Sequence, residues 1–584
     1  MRISFILSIA ALLLSSTTGL AQQTHSPDLR NEMLWTISYI ERMVDIQYAP
    51  KEWKQKHFQW DLDKELSSAR TKIQTQENLN IKDFHVILDN FFASMKDYHV
   101  GVSFVSTERS KLPFLIRSGE RNGDKTRFFI TWIDQTKAST SAFPFKAGDE
   151  LVTFNGQPTI EAVNALKNRV VINVEETDQS MAELMLTNRN GASGLPAPQG
   201  SALLGIKRQG SQKVSEVQLA WEYTPEYFDF TRPIPIKANS LSPSNWNSPF
   251  SLTNPIENSV LNTKMENPVA QSMVQQVSNP HWIGFKKSYI PALGTKVWTA
   301  EENKNFDSYI YKNKEGKLIG YVRIPSYVPT NPSAAVKEFA ALMTKFEEST
   351  EGLVIDQINN PGGSVFYLYA LASTLTDQAL YTPRHQITLN TSMAENAYKL
   401  LEQLRSISNE EQAKAALGED IHGYPISYQL IVFLREYARF ILKEWNLGKT
   451  LTDLTHLHLV DRINPYPNAN YTKPVLILVN ELDFSGGDFF PAIMQDNKRA
   501  TIMGMRTAGA GGFVTAHNVP NRLGVAGFRL TGSLAERIDQ NPIENLGVVP
   551  DIAYSLTDAD LEGGFAKYAT AIKSAIDSLI KEKN

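Results

Sequence analysis

The chain of 584 residues contains no cysteine, which excludes disulfide staples, thiolate metal sites and cysteine nucleophiles together. It also lacks a charge bias. Its 58 Lys and Arg face 62 Asp and Glu, a formal net charge of -4, and no long basic cluster stands out, so no nucleic-acid partner is expected. Past the N-terminus no apolar run approaches the roughly 20 residues that span a bilayer, so no membrane insertion is expected either. Walker, HExxH, GxSxG and dinucleotide GxGxxG motifs are all missing. With them go the usual sequence signs of nucleotide and zinc-protease chemistry, and neither a cofactor nor a metal is expected. His456 and His458 alternate in a strand-like stretch, but without partner spacing they read as structural.

What is present begins with a leader. Arg2, the apolar stretch Ile3 to Leu14 and the small-residue site Gly19-Leu20-Ala21 form a secretory signal peptide, 1–21. Cleavage is expected after Ala21, leaving Gln22 first in a secreted or periplasmic protein. An exported chain without disulfides fits a bacterium better than a eukaryotic secretory pathway.

The remainder is too long for one core and divides into several units. Residues 22–110 read as a helical region, with helices from Glu32 to Tyr48 and from Ile81 to Met95 and a turn between them at Tyr48 to Trp53 that leads into aromatic-rich sequence. His99 falls where the second helix gives way to the alternation Val100, Val102, Phe104, a junction that aims a side chain into a cleft. A lone histidine there is more often structural. Residues 111–225 read as short strands and turns. Within them Gly148-Asp149-Glu150-Leu151-Val152-Thr153-Phe154-Asn155-Gly156 is a turn, a strand and an Asn-Gly hairpin turn before a short helix, and resembles the core of a PDZ domain. Such domains bind extended peptides at a sheet edge. Residues 226–296 are rich in Pro, Asn and Ser, with seven prolines between Thr231 and Pro280, and read as a linker or an inhibitory segment. Residues 297–584 alternate strands with helices, as in an α/β domain with a mostly parallel sheet. The fold class is therefore multidomain α/β.

The chemistry concentrates between Pro474 and Gly512. Val475-Leu476-Ile477-Leu478-Val479 reads as a fully buried strand. Ser485-Gly486-Gly487-Asp488 then opens a helix, and after a second apolar run Ala508-Gly509-Ala510-Gly511-Gly512 closes the unit. A serine between a buried strand and a helix start is placed to act as a nucleophile, with helix-start N–H groups ready to receive an oxyanion. The competing reading is a helix cap, with Asp488 three residues on as a weak capping box.

Three segments decide between these readings. Asp356-Gln357-Ile358-Asn359-Asn360-Pro361-Gly362-Gly363, Asp483-Phe484-Ser485-Gly486-Gly487-Asp488 and Gln495-Asp496-Asn497-Lys498-Arg499-Ala500 resemble the tail-specific (C-terminal-processing) serine proteases, as does Asn545 to Ile552. The order of a PDZ-like module before the catalytic domain is similar too. Common members pair their serine with a lysine in the following glycine-rich turn. Here Ala510 stands at that position, so a base must come from elsewhere. Tyr48-Ala49-Pro50-Lys51, Trp60-Asp61-Leu62, Asp97-Tyr98-His99, Arg506 to Val514 and Ile543-Glu544-Asn545 resemble a branch of the family that uses a Ser-His-Glu triad.

That resemblance implies catalytic roles for Ser485, His99 and Glu544. It implies oxyanion donors at Gly486 and at Gly362 or Gly363, self-processing from a zymogen, protein or peptide substrates and an active homodimer. Gly486-Gly487 departs from the branch, which has a Cys-Ala pair there. The alternative is a catalytically silent peptide- or ligand-binding protein on the same fold, against which the joint presence of all three triad residues weighs.

Overall fold

The computed structural model describes residues 27–168, 173–234, 264–266 and 279–583. The expected leader 1–21 and its cleavage point lie outside these, as does much of 226–296. No helix of the described residues is long and apolar enough to cross a membrane.

The N-terminal region is four helices, α1 (Pro27–Gln47), α2 (Lys51–Phe58), α3 (Leu62–Thr75) and α4 (Ile81–Ser94). Two of these, α2 and α3, replace the turn and aromatic stretch read from the sequence. Their stop and start signals are local: the Asp61 side chain accepts from Lys64 N to cap α3, whose Leu66, Ala69 and Ile73 face inward. Helix α2 hides its periodicity because the residue it buries is a lysine, Lys54. At α4 a reciprocal Asn80–Asp83 capping box contributes about 1 kcal/mol, and Phe84, Ile87, Leu88 and Phe91 pack inward. Strand β1 (Gly101–Phe104) follows.

The second unit is a sheet in the order β2 (Phe114–Ser118), β3 (Phe128–Ile133), β4 (Glu150–Phe154), β5 (Ser201–Lys207) and β6 (Val214–Ala220), with helices α5 (Thr159–Lys167) and α6 (Glu175–Thr187). The Asn-Gly turn after β4 has φ of 51° at Asn155 and 79° at Gly156, the double positive φ that this pair supplies at low steric cost. Helix α6 gave no amphipathic signal because Thr177 to Thr187 are all buried; a helix enclosed on every side shows no stripe.

The third unit holds β7 (Lys264–Glu266), β8 (Thr295–Thr299), β9 (Ser308–Lys312), β10 (Leu318–Arg323), α7 (Pro332–Ser349), β11 (Gly352–Asp356), β12 (Gly362–Ser364) and α8 (Val365–Ser373). There follow the helical insertion α9 (Thr391–Leu404), α10 (Glu410–Leu417) and α11 (Tyr428–Asn446), then β13 (Val475–Val479), α12 (Gly486–Asp496), β14 (Thr501–Gly504), β15 (Val514–His517), β16 (Val525–Thr531), β17 (Ile552–Ala553), α13 (Asp558–Glu562) and α14 (Ala566–Lys583). Its main sheet runs β8-β9-β10-β11-β13-β14-β17, parallel from β10 onward. Both faces are covered, so every residue of β11 and β13 is buried, and β13 is a continuous apolar run rather than an alternating one.

A second sheet matters more for the site. Its order is β1-β16-β15-β7-β12, and it sews the strand after His99 to the glycine strand Gly362–Ser364, far away in sequence. The unit boundaries are crossed by the core as well: Tyr98, Phe114, Leu184, Leu482, Phe484 and Ala510 share one buried cluster.

Candidate active site

Ser485 lies between β13 and α12 with φ 60° and ψ −111°, a backbone conformation that costs a residue with a Cβ about 1–3 kcal/mol. The neighbours that hold it there converge on Asp488. Its carboxylate accepts from the N–H groups of Ser485 (2.6 Å), Gly509 (2.8 Å) and Ala510 (3.0 Å). Burial pushes the Asp488 carboxyl up to about 6, against the Thr507 hydroxyl and these three N–H groups, which favour its charged form. Capping of α12 is thus done by Asp488 and the Ser485 carbonyl, not by the serine hydroxyl. Ser485 Oγ is buried and has no hydrogen-bond partner among the described residues.

The three expected oxyanion glycines come together beside it. A Cβ built on Gly486 would lie 3.1 Å from Gly363 N and 3.1 Å from Gly362 Cα. The Gly362 N–H is already committed to Asn360 Oδ1 at 2.8 Å, which leaves Gly363 as the better placed partner of Gly486. As the first residue of α12, Gly486 has an N–H with no acceptor inside the helix. Gly363 has φ 149°, and a Cβ there would fall 2.3 Å from the Tyr327 carbonyl. Gly363→Ala is therefore expected to displace β12 and lower kcat at least tenfold with the fold retained, as steady-state kinetics and circular dichroism would report.

His99 precedes β1 and is fully buried. Its own N–H donates to Asp97 Oδ1 at 2.8 Å, while neither ring nitrogen has a partner among the described residues. One ligating atom from each of Asp97, His99 and Glu544 lies within 4.8 Å of the other two. Burial holds the imidazole down to about 4, opposed by Asp97 and assisted by Arg529 and Lys54, so the ring is neutral at neutral pH and able to accept a proton.

Glu544 is held by a turn that no other residue type would permit. Gly511 N donates to its Oε2 at 2.9 Å, and a Cβ on Gly511 would meet Glu544 N at 2.2 Å. Adjacent N–H groups of one turn, Ala510 and Gly511, thereby fix the serine's support and the glutamate together. The other oxygen, Oε1, accepts from Lys54 Nζ, and both side chains are fully buried. The same ammonium donates to Lys96 O at 2.7 Å and Asn545 Oδ1 at 2.8 Å, so all three of its protons are used. Burial and Asp97 push the Glu544 carboxyl up, while Lys54 and the Gly511 N–H pull it down. Asp97 Oδ2 accepts from Tyr48 (3.1 Å) and Thr531 (2.8 Å).

Lys54, Tyr48 and Thr531 are members of this cluster that sequence reading missed. Asp97 and Tyr48 stood inside segments that carry the resemblance, without roles of their own, and nothing in the sequence sets Lys54 apart from the other 57 Lys and Arg. The Asp97–His99–Glu544 group has the donor set of a small metal site, but the Lys54 ammonium already supplies the positive charge at Glu544 that a cation would bring. Outside the site, His456 Nδ1 hydrogen-bonds Thr382 (2.9 Å) and His458 stacks on Phe366, in keeping with structural roles.

The family model described as Peptidase family S41 matches residues 318–554, and a PDZ domain model matches 108–232. A protein of Chlamydia muridarum (strain MoPn / Nigg), itself described only as uncharacterised, is 33% identical over 602 residues, covering 98% of this chain and 97% of its own. One from Chlamydia pneumoniae is 33% identical over 575 residues, covering 94% and 90%. The crystal structure of mature CPAF, the chlamydial protease-like activity factor, superposes with a TM-score of 0.80 at 31% identity, over 95% of this chain and 98% of that one. A structure of mature CPAF complexed with lactacystin matches equally well, with a TM-score of 0.80 at 31% identity over 95% of this chain and 99% of that one.

Proposed function

The chain belongs to peptidase family S41 and is a serine-type peptidase, and from that premise we propose that it is an exported endopeptidase that hydrolyses proteins with Ser485, His99 and Glu544. The observation that carries the assignment is the strained, buried Ser485, whose hydroxyl has no hydrogen-bond partner among the described residues, set at a helix start against Gly363. His99 takes the proton from Ser485 Oγ as it attacks the peptide carbonyl and delivers it to the leaving amine. Glu544 holds the imidazole and stabilises its charged form. The N–H groups of Gly486 and Gly363 receive the oxyanion, contributing about 3 kcal/mol each.

Labelling with a fluorophosphonate, followed by peptide mapping, is the direct test. A single adduct on Ser485, blocked by prior incubation with lactacystin, is expected; an adduct elsewhere would end the assignment. The histidine's environment sets a second expectation. Since burial depresses the His99 pKa to about 4, protonation should remove the base only as pH falls through that value. The acid limb of kcat/KM for the free enzyme should therefore lie near pH 4, not near the ordinary imidazole value of about 6.5.

The proposal includes synthesis as a self-processing zymogen with 226–296 as the inhibitory segment. What supports this is β7: Met265 pairs with Gly363, Glu266 with Gly362, and Lys264 with both Ser364 and Val514. An extended stretch of the chain thus lies along the glycine strand, where an extended substrate would pair. Fragment analysis over time should show internal cuts in the wild type and none in Ser485→Ala. The active form is proposed to be a homodimer, which sedimentation of the processed protein would test.

A further inference from the structure

The PDZ module has a slit of the kind that takes extended peptides, between the terminal strand β2 and helix α6. Among the described residues strand β2 pairs only with β3, yet all five of its residues are buried. Its other side is covered by the chain's own C-terminal half. Glu481, from the loop between β13 and α12, places its carboxylate between the two elements: Oε1 accepts from Arg117 Nη2 on β2 and from Ser180 Oγ on α6 at 2.6 Å. Its main-chain carbonyl accepts from Thr177 Oγ1 of α6 at 2.8 Å. Arg121 lies 3.8 Å from the same carboxylate oxygen. Leu482 and Phe484, both fully buried, join Phe114, Leu115, Met181 and Leu184 in one cluster. Phe484 meets the Tyr98 ring edge-on at 5.6 Å, and Tyr98 in turn donates to Asp178 of α6 at 2.7 Å.

We infer that the slit of the PDZ module is filled by the chain's own Glu481–Phe484, so that the module is a fixed clamp on the nucleophile loop and not a receptor for free peptides, with Glu481 a positioning residue for Ser485. An anion and two large apolar side chains are what such a slit would ask of an external peptide, and here the protease domain supplies them. The ion pair is a poor stabiliser, because burying Arg117 and Glu481 forfeits the hydration of both. What it gives is a fixed place for the loop, since a charge desolvated to this degree tolerates one partner geometry. The positioning role of Glu481 rests on Ser485 being the nucleophile; the occupancy of the slit does not.

Two measurements separate these. Steady-state kinetics on an unstructured protein substrate should give Glu481→Gln a kcat at least tenfold lower than wild type with KM within twofold, and Arg117→Met the same split, most of which Arg117→Lys recovers. The apolar pair Arg117→Met/Glu481→Leu, which keeps the slit filled, guards against simple unfolding and should show the lowered kcat with an intact melting transition. Full kcat in that pair or in Glu481→Gln would overturn the positioning role. In the second measurement a fluorescent peptide with a free C-terminus is titrated into full-length Ser485→Ala protein. Anisotropy that does not saturate, or saturates identically after Arg117→Met, fits a filled slit. Saturable binding lost in Arg117→Met would overturn the inference. An inactive wild type would instead remove the protease mechanism while the titration still decides what occupies the slit.

Discussion

Ser485→Ala should lower kcat/KM on an unstructured protein by about 10⁴-fold or more, the scale on which serine triads fail when their nucleophile is removed. The fold should survive the change, because the hydroxyl removed is buried and makes no hydrogen bond among the described residues. Relief of an unsatisfied buried hydroxyl is even expected to raise stability slightly. His99→Ala should lose activity on the same scale, and the double variant should be no worse than either single, since nucleophile and base act as a unit. Fluorogenic-substrate kinetics, with melting curves to certify the fold, would read all three. Retained activity in His99→Ala would remove the imidazole from the mechanism.

The second large effect is expected at Lys54. Lys54→Met strands the Glu544 carboxylate, fully buried, with the Gly511 N–H as its remaining hydrogen-bond donor among the described residues. Breaking a buried pair from one side costs about 3–5 kcal/mol. Glu544 can escape part of this by taking up a proton, and then it no longer stabilises a charged imidazole. Activity should fall at least a hundredfold on this account, since each lost unit of about 1.4 kcal/mol in the transition state is a factor of ten.

The sign of the pH dependence follows from the carboxyl. Its folded pKa is raised by burial, and more so without Lys54, so the penalty is present above that folded value. It fades as pH falls toward the unfolded value of about 4.3. The stability gap between wild type and Lys54→Met should therefore narrow as pH falls from the variant's folded value to that of the wild type and stay constant below both, as chemical denaturation at a series of pH values would show. Lys54→Met/Glu544→Leu, which replaces the pair by apolar groups, should recover stability and not activity. Recovery of activity in that double variant would show that the glutamate is dispensable.

These expectations draw on different parts of what could be read in advance. Local patterns were strong where burial leaves a regular mark. The apolar run Val475 to Val479, the Asn155-Gly156 turn and the helix Thr159–Lys167 were all legible. They failed where burial erases the pattern: α2 turns a lysine inward, and α6 is enclosed on all sides. Ser485 could be singled out because a serine between a buried strand and a glycine-rich helix start is a local arrangement. Its hydroxyl's freedom could not, because it depends on Asp488 taking over the N–H groups of the following turn.

The sequence by itself determined the exclusion of cysteine chemistry, the order of the units, the α/β character of the C-terminal half and the absence of a lysine at Ala510. These follow from composition and from short-range periodicity. Only the tertiary structure decided that His99 and Glu544 meet, through a sheet that joins β1 to β16 and a turn in which Gly511 alone leaves room for the glutamate's backbone. It alone decided that Lys54, from the second helix, neutralises that glutamate, and that Glu481 fills the PDZ module's slit. A buried ion pair has no sequence signature. Its partners are chosen by where the fold excludes water, and that is set by residues hundreds of positions apart.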